Sequence, residues 1–274
     1  MGRSGVEFQL LATCVGGSWV SGALVILGAT SKIAFEIARV AARERRKLVL
    51  VGRNADRLDA VAGDLAARGA AHVEVIAAPL EDIARHAEFW DRIERAAGQI
   101  DEVLIAYGSL SDQARSESDA AYLQHEFLVN FNSPASLMNH AATYFETLAQ
   151  KATGSRPKGV LAVITSVAGD RARRSNFTYG TAKGALSLFA QGTRSRLFSA
   201  GVRVLTIKPG PVATPMTAAL PRASRMASPQ VVAARIYRAV TSGRVEVLYV
   251  PGYWRLIMRI VREIPERIAK KLKF

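Results

Sequence analysis

The stretch Ala-Leu-Val-Ile-Leu-Gly-Ala-Thr-Ser-Lys-Ile-Ala-Phe-Glu-Ile-Ala-Arg-Val-Ala-Ala-Arg-Glu-Arg-Arg-Lys-Leu-Val-Leu-Val-Gly-Arg, residues 23–53, decides the fold class. An apolar run from Leu24 to Leu27 stops at Gly28, helical spacing follows near Ile33 to Arg45, and a second apolar run covers Leu48 to Val51. Short apolar runs bounded by turn signals read as buried strands. A strand, a helix and a strand in that order form a parallel crossover unit. The rhythm continues with a helix at Ala55 to Ala67, a strand at Val73 to Ile76, a helix at Ile83 to Ala97 and a strand at Val103 to Ala106. A long helix within Ser118 to Gln150, a strand at Val160 to Thr165, a helix at Tyr179 to Ala200 and a strand at Val202 to Ile207 follow. Strict alternation predicts an α/β fold with a doubly wound parallel sheet, covered by helices on both faces.

A chain of 274 residues without repeats or a low-complexity linker reads as one domain. Residues 1–22 form an N-terminal extension, 23–251 the domain and 252–274 a basic tail. Arg3, Leu10, Leu11, Cys14 and Trp19 give the extension a faint signal-peptide look, but Glu7 breaks the apolar run and a strand follows at once. Two soft stretches remain: Lys151 to Lys158, a polar turn, and Met216 to Pro229, rich in Ala, Ser and Pro where a lid would lie. The lone Cys14 excludes an internal disulfide, and His72, His86, His125 and His140 fit no common zinc spacing, so no metal site is expected. No run reaches the ~18 apolar residues of a spanning helix. The net charge of +14 leaves nucleic acid, an anionic membrane surface or an acidic small molecule open as partners.

Strand one ends in Leu-Gly-Ala-Thr-Ser-Lys-Ile-Ala, residues 27–34. A glycine turn that opens a helix turns backbone N–H groups toward a pyrophosphate, here through Gly28, Thr30, Ser31, Lys32 and Ile33. By itself the pattern is weak, since Lys32 and Ala34 stand where further glycines would be, and an ordinary turn fits as well. Strand two adds support by ending at Arg53, a position where an acid favours NAD and an arginine accepts a 2′-phosphate. NADP(H) is therefore expected in preference to NAD(H).

Tyr179 and Lys183 lie four apart at a helix start and share one face. A free tyrosine, with a pKa near ~10, is a poor acid at neutrality, and a neighbouring ammonium lowers that value. Ser166, at the end of the strand Val160 to Thr165, reaches the same sheet edge, and Lys-Pro-Gly-Pro-Val-Ala-Thr follows a later strand at 208–214. With these parts together the sequence resembles the short-chain dehydrogenase/reductase family across nearly all of residues 23–250. The resemblance implies a Rossmann-type fold and a catalytic set of Ser166, Tyr179, Lys183 and Asn130. Tyr179 would protonate a carbonyl oxygen held by Ser166, Lys183 would hold the nicotinamide ribose, and Asn130 would keep a water for proton relay. Gly108, Pro209, Gly210, Val212 and Thr214 would grip the cofactor together with Tyr179 and Lys183.

Two departures bear on the adenine end. The family's usual Asn-Asn-Ala-Gly reads Ile-Ala-Tyr-Gly at 105–108, and the acid expected after strand three is replaced near Pro79. The departures, the arginine-rich loop and the basic tail together look like one subgroup. They are similar to the reductase component of the decaprenylphosphoryl-ribose 2′-epimerase pair, which implies a 2-keto pentose on a polyprenyl phosphate and a flavin-dependent oxidase partner. Arg171, Arg173 and Arg174 would meet the phosphate, guanidinium groups binding it bidentately, with a solvated loop or a subunit contact as the competing reading.

The tail carries Leu256, Ile260, Ile264, Ile268 and Leu272 at spacings of four, with seven basic residues between Arg255 and Lys273, and Pro265 as a kink. Tyr253, Trp254 and Phe274 flank it. It suits an anionic bilayer surface or a position over the cleft or a neighbouring subunit. A cytoplasmic protein at the inner membrane face, forming a homo-oligomer as the family usually does through its long helices, is the resulting expectation. Nucleic acid would want aromatic residues interleaved with the basic ones, which only the tail offers. A sensor or scaffold on this fold would be expected to lose Tyr179 or Lys183, and another carbonyl, such as a 3-oxoacyl thioester or a ketose, is the alternative substrate.

Overall fold

The computed structural model describes residues 22–152, 159–219 and 226–272. The N-terminal extension with Cys14, most of the polar turn before 159, and the end of the tail with Lys273 and Phe274 lie outside the described residues. Seven parallel strands form one sheet in the order β3-β2-β1-β4-β5-β6-β7. They are β1 (Ala23–Leu27), β2 (Lys47–Gly52), β3 (His72–Ala77), β4 (Ile100–Ile105), β5 (Val160–Ile164), β6 (Arg203–Pro209) and β7 (Val247–Val250). The order reverses between β1 and β4, and the crevice beyond the carboxyl ends of strands at such a switch point is where an open α/β sheet binds ligands.

Helices α1 (Lys32–Arg43) and α2 (Ala55–Ala67) cover one face with α8 (Pro229–Thr241), meeting it through Ile37, Leu58, Leu65, Val232 and Ile236. Helix α3 (His86–Ala97) covers the other face with the two longest helices, α6 (Ser133–Lys151) and α7 (Phe177–Leu197), through Phe89, Phe145, Leu186 and Leu197. Each fully buried Leu or Phe contributes roughly 1.5–3 kcal/mol. Strands buried on both faces read as continuous apolar runs, which is why every residue of β1 is buried.

Three segments differ from expectation. The long helix expected within Ser118 to Gln150 runs from Ala120 to Lys151 as α5 (Ala120–Phe127), a π turn at Leu128–Asn132 and α6, and an unexpected short helix, α4 (Gln113–Ser118), precedes it. Asp119 takes an extended conformation and caps α5, accepting from Tyr122 N at 2.9 Å, so a short polar side chain outcompetes helix continuation. Helix α8 and strand β7 went unassigned in the sequence, although Ser228 before Pro229 is a helix-start signal. The stretch Met216 to Pro229 is pinned at its base, because Ala213 N donates to Ala227 O and Ala227 N donates to Pro211 O. Its residues 220–225 lie outside the described ones.

The tail forms α9 (Trp254–Glu263) and α10 (Glu266–Ala269), interrupted at Pro265 as its ring requires. One face of α9 lies against the domain, burying Met258 and half-burying Trp254 and Val261. Tyr253, Leu256, Ile257 and Ile260 remain exposed.

Candidate active site

Ser166, Tyr179 and Lys183, the triplet expected from the sequence, meet because backbone packs on backbone. Ser166 ends β5 and caps the 3-10 turn Val167–Gly169, accepting from Ala168 N at 3.1 Å. That turn lies directly against α7. A Cβ at Gly180 would come within 2.8 Å of Ala168 O, and one at Gly184 within 2.8 Å of Gly169 O. Any side chain on this face of α7 would push Ser166 away from Tyr179. Gln113 of α4 caps the helix from outside, its Oε1 accepting from Thr178 N at 2.9 Å. Asp170 anchors the other side: it receives Lys208 Nζ from β6 and, at 2.7 Å, the Tyr249 hydroxyl from β7.

Tyr179 stands within hydrogen-bonding reach of Ser166. Burial pushes its phenol above the ordinary value, opposed by the Ser166 bond and the charge of Arg173. This corrects the sequence reading, in which Lys183 lowers that value. Lys183 Nζ sits over the Tyr179 ring, 5.9 Å from its centroid, and burial itself pushes the lysine down to about 8. The cation that acts on the phenol in this structure is therefore Arg173.

A cleft with a volume of about 350 Å³ runs along the carboxyl edge of the sheet. Gly28, Thr30, Ser31, Lys32, Ile33 and Arg53 line one end, while Gly108, Ser166, Tyr179, Lys183, Pro209, Gly210, Val212 and Thr214 line the other. Every residue expected to hold a cofactor thus lines a single cleft. Gly28 has a positive φ of 85°, and α1 begins without an acidic side chain in its first turn, with Ser31 as its cap. Such a helix start suits an anion. The Lys32 side chain turns to Glu36 at 2.7 Å, so Lys32 enters the cleft wall while its ammonium is ion-paired along the helix. A larger groove of about 620 Å³ beside α3 and α6 carries none of these groups.

The adenine-end departures acquire partners. Tyr107 pairs with Ser133 Oγ at 2.6 Å, and Ser133 donates to Leu80 O. Glu81, two residues past Pro79, lines the cleft and pairs with Arg53 at 2.6 Å. Arg57 lines it as well. The sequence reading named Tyr107 as a departure but neither Glu81 nor Arg57. Asn130 does not line the cleft. It is fully buried behind Gly108, accepting from Ser109 N at 3.1 Å.

The three arginines separate. Arg171 donates to Arg262 O at 3.1 Å and to Glu266 at 2.7 Å, so it latches the tail. Arg174 is exposed. Arg173 is partly buried near Tyr179, its own value lowered by that burial.

A model of the short chain dehydrogenases matches residues 23–225 of this chain. The chain belongs to the short-chain dehydrogenase family. It is 34% identical over 249 residues to an uncharacterized oxidoreductase of Mycobacterium tuberculosis, covering 91% of this chain and 96% of that one. An uncharacterized oxidoreductase of Streptomyces coelicolor is 36% identical over 254 residues, covering 91% and 95%. Among solved structures, a short chain dehydrogenase from Burkholderia cenocepacia in complex with NADP superposes with a TM-score of 0.74 at 17% identity, covering 90% of this chain and 95% of that one. The 3-oxoacyl-[acyl-carrier protein] reductase from Brucella melitensis in complex with NAD gives 0.74 at 20% identity, covering 85% and 97%. At these identities both structures speak for the fold alone. The family match and the cleft make this short-chain dehydrogenase an oxidoreductase.

Proposed function

We propose that the enzyme reduces a ketone with a nicotinamide cofactor, NADP(H) in preference to NAD(H), and that its substrate is a 2-keto pentose carried on a polyprenyl phosphate. When bound, the cofactor supplies hydride to the carbonyl carbon. Ser166 holds the carbonyl oxygen, Tyr179 donates its proton to it, and Lys183 lies below the Tyr179 ring to hold the ribose. The helix start at Ser31 receives the pyrophosphate. Arg53 and Arg57 receive a 2′-phosphate, and the exposed Arg53–Glu81 pair is weak enough, about 0–1 kcal/mol, to be exchanged for one.

The observation that carries the substrate reading is Arg173. Among the described residues its guanidinium has no ion-pair or hydrogen-bond partner, and it lies partly buried near the Tyr179 phenol. A desolvated guanidinium at that distance from the reaction suits an anion on the substrate, and a phosphodiester next to a keto sugar provides one. Arg174 supports it from the surface, whereas Arg171 belongs to the tail. A polyprenyl chain would leave toward α9, whose exposed Tyr253, Leu256, Ile257 and Ile260 lie beside Arg255 and Arg259. That surface suits an anionic bilayer at the inner face of the membrane. Exposed Leu188 on α7 and Phe198 at its end support pairing of copies through the long helices. A flavin-dependent oxidase that forms the keto sugar is the partner this reading requires.

The test compares NADPH with NADH consumption on a 2-keto pentosyl phospholipid, run beside a 3-oxoacyl thioester. Turnover of the phospholipid with NADPH, and a raised KM in Arg173→Ala, is the expected result. Activity on the thioester alone would replace this substrate. Vesicle flotation with and without residues 252–274 checks the membrane surface, equal flotation counting against it.

A further inference from the structure

Glu126 lies one turn before Asn130, on α5, and is 4% exposed. A buried carboxylate is costly unless donors surround it. Its Oε2 accepts from Ser111 Oγ at 2.7 Å, from Ser109 Oγ at 2.8 Å and from Asn130 Nδ2 at 3.2 Å. The third of these bonds ties the acid to the Asn130 amide.

A carboxylate accepts and never donates, so the only end of the Asn130 amide it tolerates is the NH2. That NH2 also donates to Ser109 Oγ at 3.0 Å. The amide oxygen is thereby turned the other way, toward Ser109 N. Gly108 marks where it points, because a Cβ there would lie 2.7 Å from Asn130 Oδ1 and 2.9 Å from Lys183 Nζ. The acceptor and the ammonium converge on one point, kept open because residue 108 has no side chain. With the amide reversed, its N–H groups would face a backbone N–H and an ammonium. Each donor would then be left without an acceptor.

We propose that Glu126 is a positioning residue for the reduction, holding the Asn130 carbonyl oxygen toward Lys183. The inference rests on the reductase reading but not on which ketone is reduced. In that reaction the carbonyl carbon gains hydride from the reduced nicotinamide and its oxygen gains the Tyr179 proton. The phenolate would be reprotonated by way of Lys183, which would recover its proton from solvent, with the Asn130 oxygen held near its ammonium across Gly108. Glu126 keeps an acceptor in place along that route without touching substrate or cofactor.

The experiment has two readouts. In cofactor-free protein labelled with 15N-asparagine, the side-chain NH2 of Asn130 exchanges slowly with solvent, and Glu126→Met accelerates it ~10-fold or more as the anchoring acceptor is lost. With NADPH and 2,3-butanedione as the probe ketone, Glu126→Met lowers kcat about 10-fold and leaves the KM for NADPH within about twofold. Asn130→Ala lowers kcat similarly, and the double variant is no slower than Asn130→Ala, because residues that act as one unit are not additive. Should Glu126→Met not fold, Glu126→Gln takes its place and shows the same pattern with effects of roughly threefold. Unchanged Asn130 exchange, or kcat losses that multiply in the double variant, would overturn the proposal. A wild-type enzyme that reduces no ketone with either nicotinamide would sink the reductase reading, while the exchange measurement would still decide the role of Glu126.

Discussion

Replacing Lys183 by methionine should make the protein more stable and nearly inactive. The ammonium is 3% exposed, and its Nζ has no hydrogen-bond partner among the described residues beyond its place over the Tyr179 ring. Burial lowers its value from 10.5 to about 8. Between those two values the unfolded chain holds the proton that the folded chain has released, so stability rises with pH there. Below about 8 both states are protonated and the full burial penalty is present. The fall from 10.5 to about 8 corresponds to about 3 kcal/mol at ~1.4 kcal/mol per pH unit. Methionine keeps the unbranched stem and removes the charge. The lost cation–π contact offsets ~0.5–1 kcal/mol, leaving about 2 kcal/mol. For a chain of this length that is a Tm gain of roughly 4 °C at pH 7. The gain should shrink above about pH 8 and vanish near 10.5. Scanning calorimetry of the cofactor-free protein from pH 6 to 10.5 measures it. An unchanged or lowered Tm at pH 7, or a gain independent of pH, would refute the reasoning. Ketone reduction by the same variant should fall at least ~10²-fold, in line with a general-acid centre that has lost a member.

Tyr179→Phe should lower kcat by ~10²–10⁴ with the cofactor KM little changed, read by steady-state NADPH consumption. Because Arg173 holds the Tyr179 value down against burial and reduction needs the protonated phenol, Arg173→Ala should move the alkaline limb of kcat/KM to higher pH; an unmoved limb would count against this. Removing Arg53 and Arg57 together should raise the KM for NADPH about 10-fold, a charge-assisted bond being worth ~1.5–3 kcal/mol, while the KM for NADH stays the same. A Cβ at Gly210 would fall 1.9 Å from Trp254 Nε1, so Gly210→Ala must displace α9, and limited trypsin digestion should then cleave at Arg255 or Arg259 well before it does so in the wild type.

Much of the fold was legible along the chain because parallel strands buried on both faces leave long apolar runs, and helices between them leave a helical period. The break at Asp119 and the π turn around Asn130 were not legible. At Asp119 the side chain caps the next helix by accepting from Tyr122 N, and at Asn130 the amide is held by Ser109, distant in sequence. Helix α8 and strand β7 escaped because β7 is a four-residue edge strand. In the candidate site, Ser166, Tyr179, Lys183 and the glycine turn carry local spacing signals. Glu81 and Trp254 carry none, since each meets a residue distant in sequence, Arg53 and Gly210. The arginine loop shows the limit most directly: three cations of equal promise in the sequence become a tail latch, a desolvated neighbour of Tyr179 and a surface residue.

The sequence by itself determined the doubly wound sheet and the family, and it singled out Ser166, Tyr179 and Lys183, which the fold gathers in one cleft. Those depend on periodicity and on residue types at short spacing, which the chain carries locally. Only the tertiary structure decided that Arg173 lies near Tyr179, that α9 and α10 dock through Arg171, and that Glu126 is buried against the Asn130 amide. Each of these depends on burial and on contacts between residues far apart in the chain. Desolvation and hydrogen-bond partners come into being when the elements pack.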